Sequence, residues 1–401
     1  MRQGSYKALI LLAGLGFAAC KNSTGAGSPG DAACAGSGGC GTSLDANSPD
    51  DARSSGNLRA DTSNGTTDAT VGTLCPSTGK ITEAAGPLPY GVHVVSDMQS
   101  SLPYYAFTGD SYVYWAPPDR ATILRISLTD GSNKVLFDDS SSGVPRIQGL
   151  AADANGLYFL ESGVGVGKIS LDGSGSTATL SAAKTVGEIV AGGDSVYYFD
   201  YDQQSILRVP TNGGAATPLI RNVDPFDLWV ADGHLYFLHP RSATNLYLLL
   251  RVSVDSVAPN PDAGSTADSG AGQSATAVPA GAEQVATAGG GANGPVTDHT
   301  NVYWAESHKL MYVPLAGGTA QVLATADSTG QYGGDPIAKI VPFNGLVYWS
   351  TRSESGHCAR VYVSSATSPK SVLVPAVAAA LASVTSSYVY LLGAEILRMP
   401  R

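Results

Sequence analysis

Glu161, Asp200, His239 and Glu306 each stand two residues beyond a tyrosine-aromatic pair, at successive spacings of 39, 39 and 67 residues. Three carboxylates and an imidazole brought together could hold a divalent cation, because hard cations take oxygen ligands. A metal so held could assist a lyase or hydrolase reaction. Pro117, Thr351 and Gly393 occupy the matching place in three further copies of the pattern. Each position also opens a polar stretch, where Asp, Glu and His are ordinary solvated loop residues, so residue type commits no metal and no cofactor. The same stretches carry Arg120, Tyr201, Asp202, Arg241, His308, Arg352 and Glu354, which suit contact with a polar partner.

Familiar catalytic spacings are missing. The sequence contains no G-x-S-x-G, no H-E-x-x-H and no G-x-x-x-x-G-K-[ST]. His357 and Cys358 are adjacent, and neighbours on a strand point to opposite faces, which suits a base and nucleophile poorly. No catalytic residue is assigned. The residues favour a non-enzymatic binding role, with a metal-assisted lyase or hydrolase at an axial funnel as the alternative.

The elements that must position these residues repeat. The aromatic cores read YVYWA from 112, GLYFL from 156, VYYFD from 196, HLYFL from 234, NVYWA from 301, LVYWS from 346 and YVYLL from 388. Aligned on Tyr114, Tyr158, Tyr197, Tyr236, Tyr303, Tyr348 and Tyr390, the steps are 44, 39, 39, 67, 45 and 42 residues. The long step contains a low-complexity insertion at 256–282, and removing its 27 residues leaves 40.

Each copy has an apolar run, a turn, the tyrosine-aromatic strand, a polar gap, an alternating strand such as ILRISL (123–128), a Gly turn and a last apolar run. Period-two runs bounded by Gly, Asn and Asp are antiparallel strands. Four strands per repeat of this length make one propeller blade. The predicted fold is therefore all-β, a β-propeller of seven four-stranded blades, with six as the alternative. The last copy stops after its third strand at ILRMPR, and GVHVVS from Gly91 is placed to supply the missing fourth strand. Tyr114, Trp115, Tyr303, Trp304, Tyr348 and Trp349 recur at one repeat position, which predicts packing between blades rather than a ligand platform.

Over residues 91–401 the pattern resembles the YWTD and NHL propeller repeats, in which a YWTD-like strand precedes I-x-R-x-x-L-D-G and a following V-L. The match is best at 113–137 and 302–323, where Trp115 and Trp304 are followed by Ala116 and Ala305 instead of Thr-Asp. The chain is also similar to TolB-like propellers and to exported lipoproteins of myxobacteria whose role is uncharacterised. The YWTD resemblance implies six blades, whereas the copies number seven.

The ends and the composition bound the setting. Arg2 and Lys7 precede an apolar core over 8–19, too short to span a bilayer, which then meets Cys20. The FAAC junction resembles a bacterial lipoprotein signal. That resemblance implies a signal peptide at 1–19, acylation of Cys20 and a lipid-anchored protein of the cell envelope, with the outer membrane favoured by Lys21. Residues 20–80 are Gly, Ser, Ala, Asp, Asn and Thr with few large apolar side chains, which predicts a disordered tether. A coil of that length spans roughly 40 Å. The propeller takes 81–401.

Export suits disulfides. Beside Cys20, the sequence has Cys34, Cys40, Cys75 and Cys358, an even number, for which Cys34–Cys40 and Cys75–Cys358 is the favoured of three pairings. A net charge of −10 offers no footprint for nucleic acid. The expected partner is a protein or glycan, membrane contact is through the anchor alone, and the chain is read as a monomer.

Overall fold

The computed structural model describes residues 88–97, 104–117, 121–139, 147–241, 245–258, 278–326, 336–351, 358–365, 368, 370–377, 379–393 and 395–401. Strand β1 (His93–Asp97) precedes the first repeat. Blade 1 follows with β2 (Tyr104–Thr108), β3 (Tyr112–Ala116), β4 (Thr122–Ser127) and β5 (Asn133–Asp138). Blade 2 has β6 (Ile147–Asp153), β7 (Gly156–Glu161), β8 (Gly165–Ile169) and β9 (Ala178–Ser181). Blade 3 has β10 (Val186–Gly192), β11 (Ser195–Asp200), β12 (Ser205–Pro210) and β13 (Thr217–Arg221). Blade 4 has β14 (Phe226–Ala231), β15 (His234–Arg241), β16 (Leu246–Ser253) and β17 (Glu283–Ala288), so the insertion joins its third and fourth strands. Blade 5 has β18 (Ala292–Thr297), β19 (Asn301–Glu306), β20 (Lys309–Pro314) and β21 (Gln321–Thr325). Blade 6 has β22 (Ile337–Phe343), β23 (Leu346–Thr351), β24 (Ala359–Ser364) and β25 (Ser371–Val377). Blade 7 has β26 (Ala379–Val384), β27 (Tyr388–Gly393) and β28 (Glu395–Pro400).

The fourth strand of blade 7 is β1. It pairs antiparallel with β28, His93 facing Arg398 and Val94 facing Leu397, in the order β1-β28-β27-β26. The chain thus closes its ring by mixing its two ends in one sheet, as the unpaired GVHVVS run predicts. The seven four-stranded sheets decide against the six-blade alternative.

First strands surround the axis. Each packs on the first strand of the next blade, from β2 on β6 through to β22 on β26. Second strands come next outward and are the most apolar, because both of their faces are covered by neighbouring blades. Strand β7, GLYFLE, is buried along its whole length. The predicted packing role of the repeated aromatics holds: Tyr114 and Trp304 are 0% exposed, and Trp115, the least buried of the six, is 6% exposed. Between blades 7 and 1 the core joins Tyr390 and Leu392 to Val113 and Trp115, so the ring is sealed by the same kind of contact everywhere.

The third-strand ILR motif has a second use. Opposite each second-strand tyrosine lies Arg125, Lys168, Arg208, Arg251, Tyr312, Val363 or Arg398 in turn. The cations reach a backbone carbonyl three residues beyond the equivalent position in the next blade. Arg125 Nη1 donates to Leu171 O at 3.3 Å, Lys168 Nζ to Thr211 O at 2.8 Å and Arg251 Nη1 to Leu315 O at 3.5 Å. Arg208 donates likewise to Val254 O, and Arg398 Nη1 to Leu128 O at 2.8 Å across the closure. Blades 5 and 6, with Tyr312 and Val363, lack the latch.

Candidate functional site

The second strands end at Glu161, Asp200, Glu306, Thr351 and Gly393 on one face of the ring, here called upper, with Pro117 just past β3 and His239 two residues short of the end of β15. The equivalence predicted from the repeat holds in the strand registers: Glu161 faces Ile147, Asp200 faces Val186 and Thr351 faces Ile337. The side chains stay apart. Among the described residues, no three His, Cys, Asp or Glu groups come together in a way that could hold a metal ion. The reason is positional, since each sits on a second strand and a first strand, about 4.8 Å wide, stands between it and the axis.

Each group is also engaged beside its own turn. Asp200 is 4% exposed, and its two carboxylate oxygens accept hydrogen bonds from Gln203 N–H at 3.0 Å and Gln203 Nε2 at 2.9 Å. Glu306 Oε1 accepts from Trp304 Nε1 at 2.9 Å. Thr351 Oγ1 accepts the backbone N–H of Arg360 at 3.0 Å. Glu161 is buried where β7 meets β8. His239 Nδ1 accepts the backbone N–H of Asp224 at 3.3 Å, which leaves the ring proton on Nε2. Burial lowers the pKa of His239, against the opposing charge of Asp224, so the imidazole is held neutral.

The predicted contact loops divide. Tyr201 is 50% exposed, its ring set edge-on to Phe199 at 4.8 Å. Asp202 is exposed beside it, and Arg241 and His308 are half-buried in the corresponding loops of blades 4 and 5. Arg120, Arg352, Glu354, Cys20, Cys34, Cys40 and Cys75 lie outside the described residues; Cys358 is half-buried just before β24.

The first strands supply groups that the sequence reading passed over. Most carry a register shift near their upper end, between Val186 and Ile189 in β10, Phe226 and Trp229 in β14, and Asn293 and Val296 in β18. A bulge re-aims side chains locally. Glu188 sits at the β10 bulge, in contact with water but crowded by protein on its other sides, and accepts the backbone N–H of Leu228 from blade 4. Dehydration by the surrounding protein, with the Asp227 carboxylate second, pushes the Glu188 pKa up to about 7. Asp227 has φ of 52°, in the left-handed region that Asp tolerates, and its Oδ2 accepts Gly294 N–H from blade 5 at 2.9 Å. The signal was present in the sequence as polar residues inside apolar first-strand runs, Gln148, Glu188, Asp227, Asn293 and Lys339.

Together these residues form a continuous patch on the upper face of blades 3 and 4. The Tyr201 ring lies over Gly187, where an added Cβ would come within 2.9 Å of it. Burial, then the charges of Glu188 and Asp224, raise the pKa of Tyr201. Phe226, 41% exposed, meets Tyr247 edge-on at 6.0 Å. The lower face offers a cavity of about 380 Å³ between the same two blades, lined by Asp194, Tyr197, Arg208, Asp232 and Asp255 among others. Arg208 is committed there to its latch on Val254 O.

No protein-family model matches the chain, and no curated protein matches it in sequence. Solved structures do match in shape. Virginiamycin B lyase from Staphylococcus aureus aligns at a TM-score of 0.51 and 12% identity, over 77% of this chain and 98% of that one. YCF48 from Cyanidioschyzon merolae aligns at a TM-score of 0.51 and 14% identity, over 77% and 99%. A chain of the mitotic checkpoint complex aligns at 0.52 and 11%, over 79% and 96%. The chain is a seven-bladed β-propeller. A likeness at these identities concerns the fold alone, and such a fold hosts unrelated functions.

Proposed function

We propose that this propeller is a non-enzymatic binding module of the bacterial cell envelope, and that it docks a protein or glycan partner on its upper face. The observation that carries the reading is the contrast on that face. Asp200, Glu306 and His239, buried or half-buried, are engaged by neighbouring groups, whereas Tyr201, Phe226, Asp202 and Asp224 stand exposed on blades 3 and 4. Exposed aromatics grouped with polar neighbours are the usual composition of a contact surface. In this reading Cys20 carries the lipid, and residues 20–80 are the spacer that their composition predicts.

Screening the purified protein against glycan and peptide arrays tests the proposal. Retention of a defined ligand class that is lost in the Tyr201→Ser/Phe226→Ser double variant supports it. No retention above control on either array would count against it. For the anchor, Cys20→Ser should abolish acylation and move the protein from the membrane to the soluble fraction of the envelope; unchanged membrane retention would refute lipidation at Cys20.

A further inference from the structure

Some aromatic faces in this ring are covered by cations. Arg125 stands over Tyr112 at 4.5 Å, Arg398 over Tyr388 at 5.1 Å and Arg401 over Phe343 at 5.0 Å. Tyr201 and Phe226, on the upper face of blades 3 and 4, differ. Both are exposed, and among the described residues neither has a cation over its ring. Carboxylates stand close to them. Glu188 and Asp224 lie close enough to act on the Tyr201 hydroxyl, Asp202 is the next residue, and Asp224 is two residues from Phe226. Asp202 and Asp224 are exposed and form no ion pair among the described residues. Lys184, Arg221 and Arg241 belong to the same end of these blades, and none of them is stacked on Tyr201 or Phe226.

We infer that the upper face of blades 3 and 4 receives a lysine- or arginine-rich segment of a protein partner, its cationic heads seated over Tyr201 and Phe226 and paired with Glu188, Asp202 and Asp224. The inference rests on the reading of the upper face as a docking face and narrows the partner to one charge class. Two physical features select the occupant. The electron-rich face of an aromatic ring attracts a cation, and the attraction grows when neighbouring carboxylates add their charge. The overall charge of −10 also steers a basic partner toward the ring and repels an acidic one.

The test is equilibrium binding of a fluorescent Lys/Arg peptide and of a Glu/Asp peptide of equal length to the full-length protein, at low and at physiological ionic strength. Four proteins are compared: wild type, Tyr201→Ser/Phe226→Ser, Asp224→Asn, and Asp194→Asn on the lower face as a charge-matched control. The expected result is binding of the basic peptide alone. The aromatic double variant should weaken it by about tenfold, Asp224→Asn should weaken it measurably, and Asp194→Asn should leave it within about twofold. Equal losses for Asp224→Asn and Asp194→Asn would overturn the inference, because attraction would then be general. If an array ligand that is not basic is bound through Tyr201 while the basic peptide is not, the inference is overturned and the docking face stands. If no probe is bound at all, both fail. Thermal melts of each variant separate loss of binding from loss of fold.

Discussion

Replacing Arg398 by methionine removes the latch that ties blade 7 to blade 1 while keeping most of its aliphatic stem. Arg398 Nη1 donates to Leu128 O at 2.8 Å, and its guanidinium covers Tyr388 at 5.1 Å. A hydrogen bond from a charged donor contributes about 1.5–3 kcal/mol, and a half-exposed cation-π contact adds about 0.5–1 kcal/mol. Against that, Arg398 Nε is buried without a hydrogen-bond partner among the described residues, a cost of about 1 kcal/mol that methionine relieves. The net loss works out at about 2 kcal/mol. For a ring of this size that lowers Tm by about 3–5 °C. Arg125→Met gives an internal comparison. Its acceptor, Leu171 O, also takes the Tyr114 hydroxyl at 3.0 Å and keeps a partner when the arginine goes. The Arg125 guanidinium also covers Tyr112 at 4.5 Å and has no buried unpaired Nε to relieve, so its loss should be similar, about 1–2 kcal/mol. Urea unfolding followed by tryptophan fluorescence, checked by calorimetry, measures both. A change under about 0.5 kcal/mol for either variant would refute the latch account.

Three further outcomes follow from packing, charge and covalent chemistry. Gly167 faces Phe159 across β8 and β7, and a Cβ there would fall 2.3 Å from the ring, so Gly167→Ala should destabilise by about 1–3 kcal/mol in a urea titration. Glu188 has its folded pKa raised from 4.5 to about 7, so the folded state holds a proton that the unfolded chain releases, and stability falls as pH rises through that window. Glu188→Gln should therefore be more stable than wild type at pH 8, by on the order of 1 kcal/mol after allowance for the water at this exposed site, and nearly equal at pH 4; no difference between the two pH values would contradict the assignment. Non-reducing peptide mapping should recover Cys75 linked to Cys358 and Cys34 linked to Cys40, and a free thiol at Cys358 would disprove that pairing.

Strand number and order were legible because they rest on a period repeated along the chain. Seven tyrosine-aromatic pairs, the GVHVVS run at one end and ILRMPR at the other were enough to specify the closed ring and its β1–β28 seam. Equivalent positions were legible for the same reason: Glu161, Asp200 and Glu306 do occupy one place in the repeat. Their separation was not, because distance from the axis depends on which strand is innermost, and a repeat shows order along the chain rather than radius. The role of Arg125 and Arg398 was not legible, since a latch to the next blade's backbone leaves no mark in the residue it reaches. Glu188 and Asp227 were missed because a bulge is one residue out of register and breaks the alternation used to find strands.

The central claim is that the upper face of blades 3 and 4 carries the docking function, and site-specific photo-crosslinking tests it most directly. A photoreactive phenylalanine analogue placed at position 201 on the upper face, and separately at position 194 on the lower face, is activated in cells producing the full-length protein. The account predicts a discrete protein adduct from position 201, rich in Lys and Arg at the crosslinked peptide, and none from position 194. Adducts from position 194 alone, or from neither position in correctly folded protein, would contradict it.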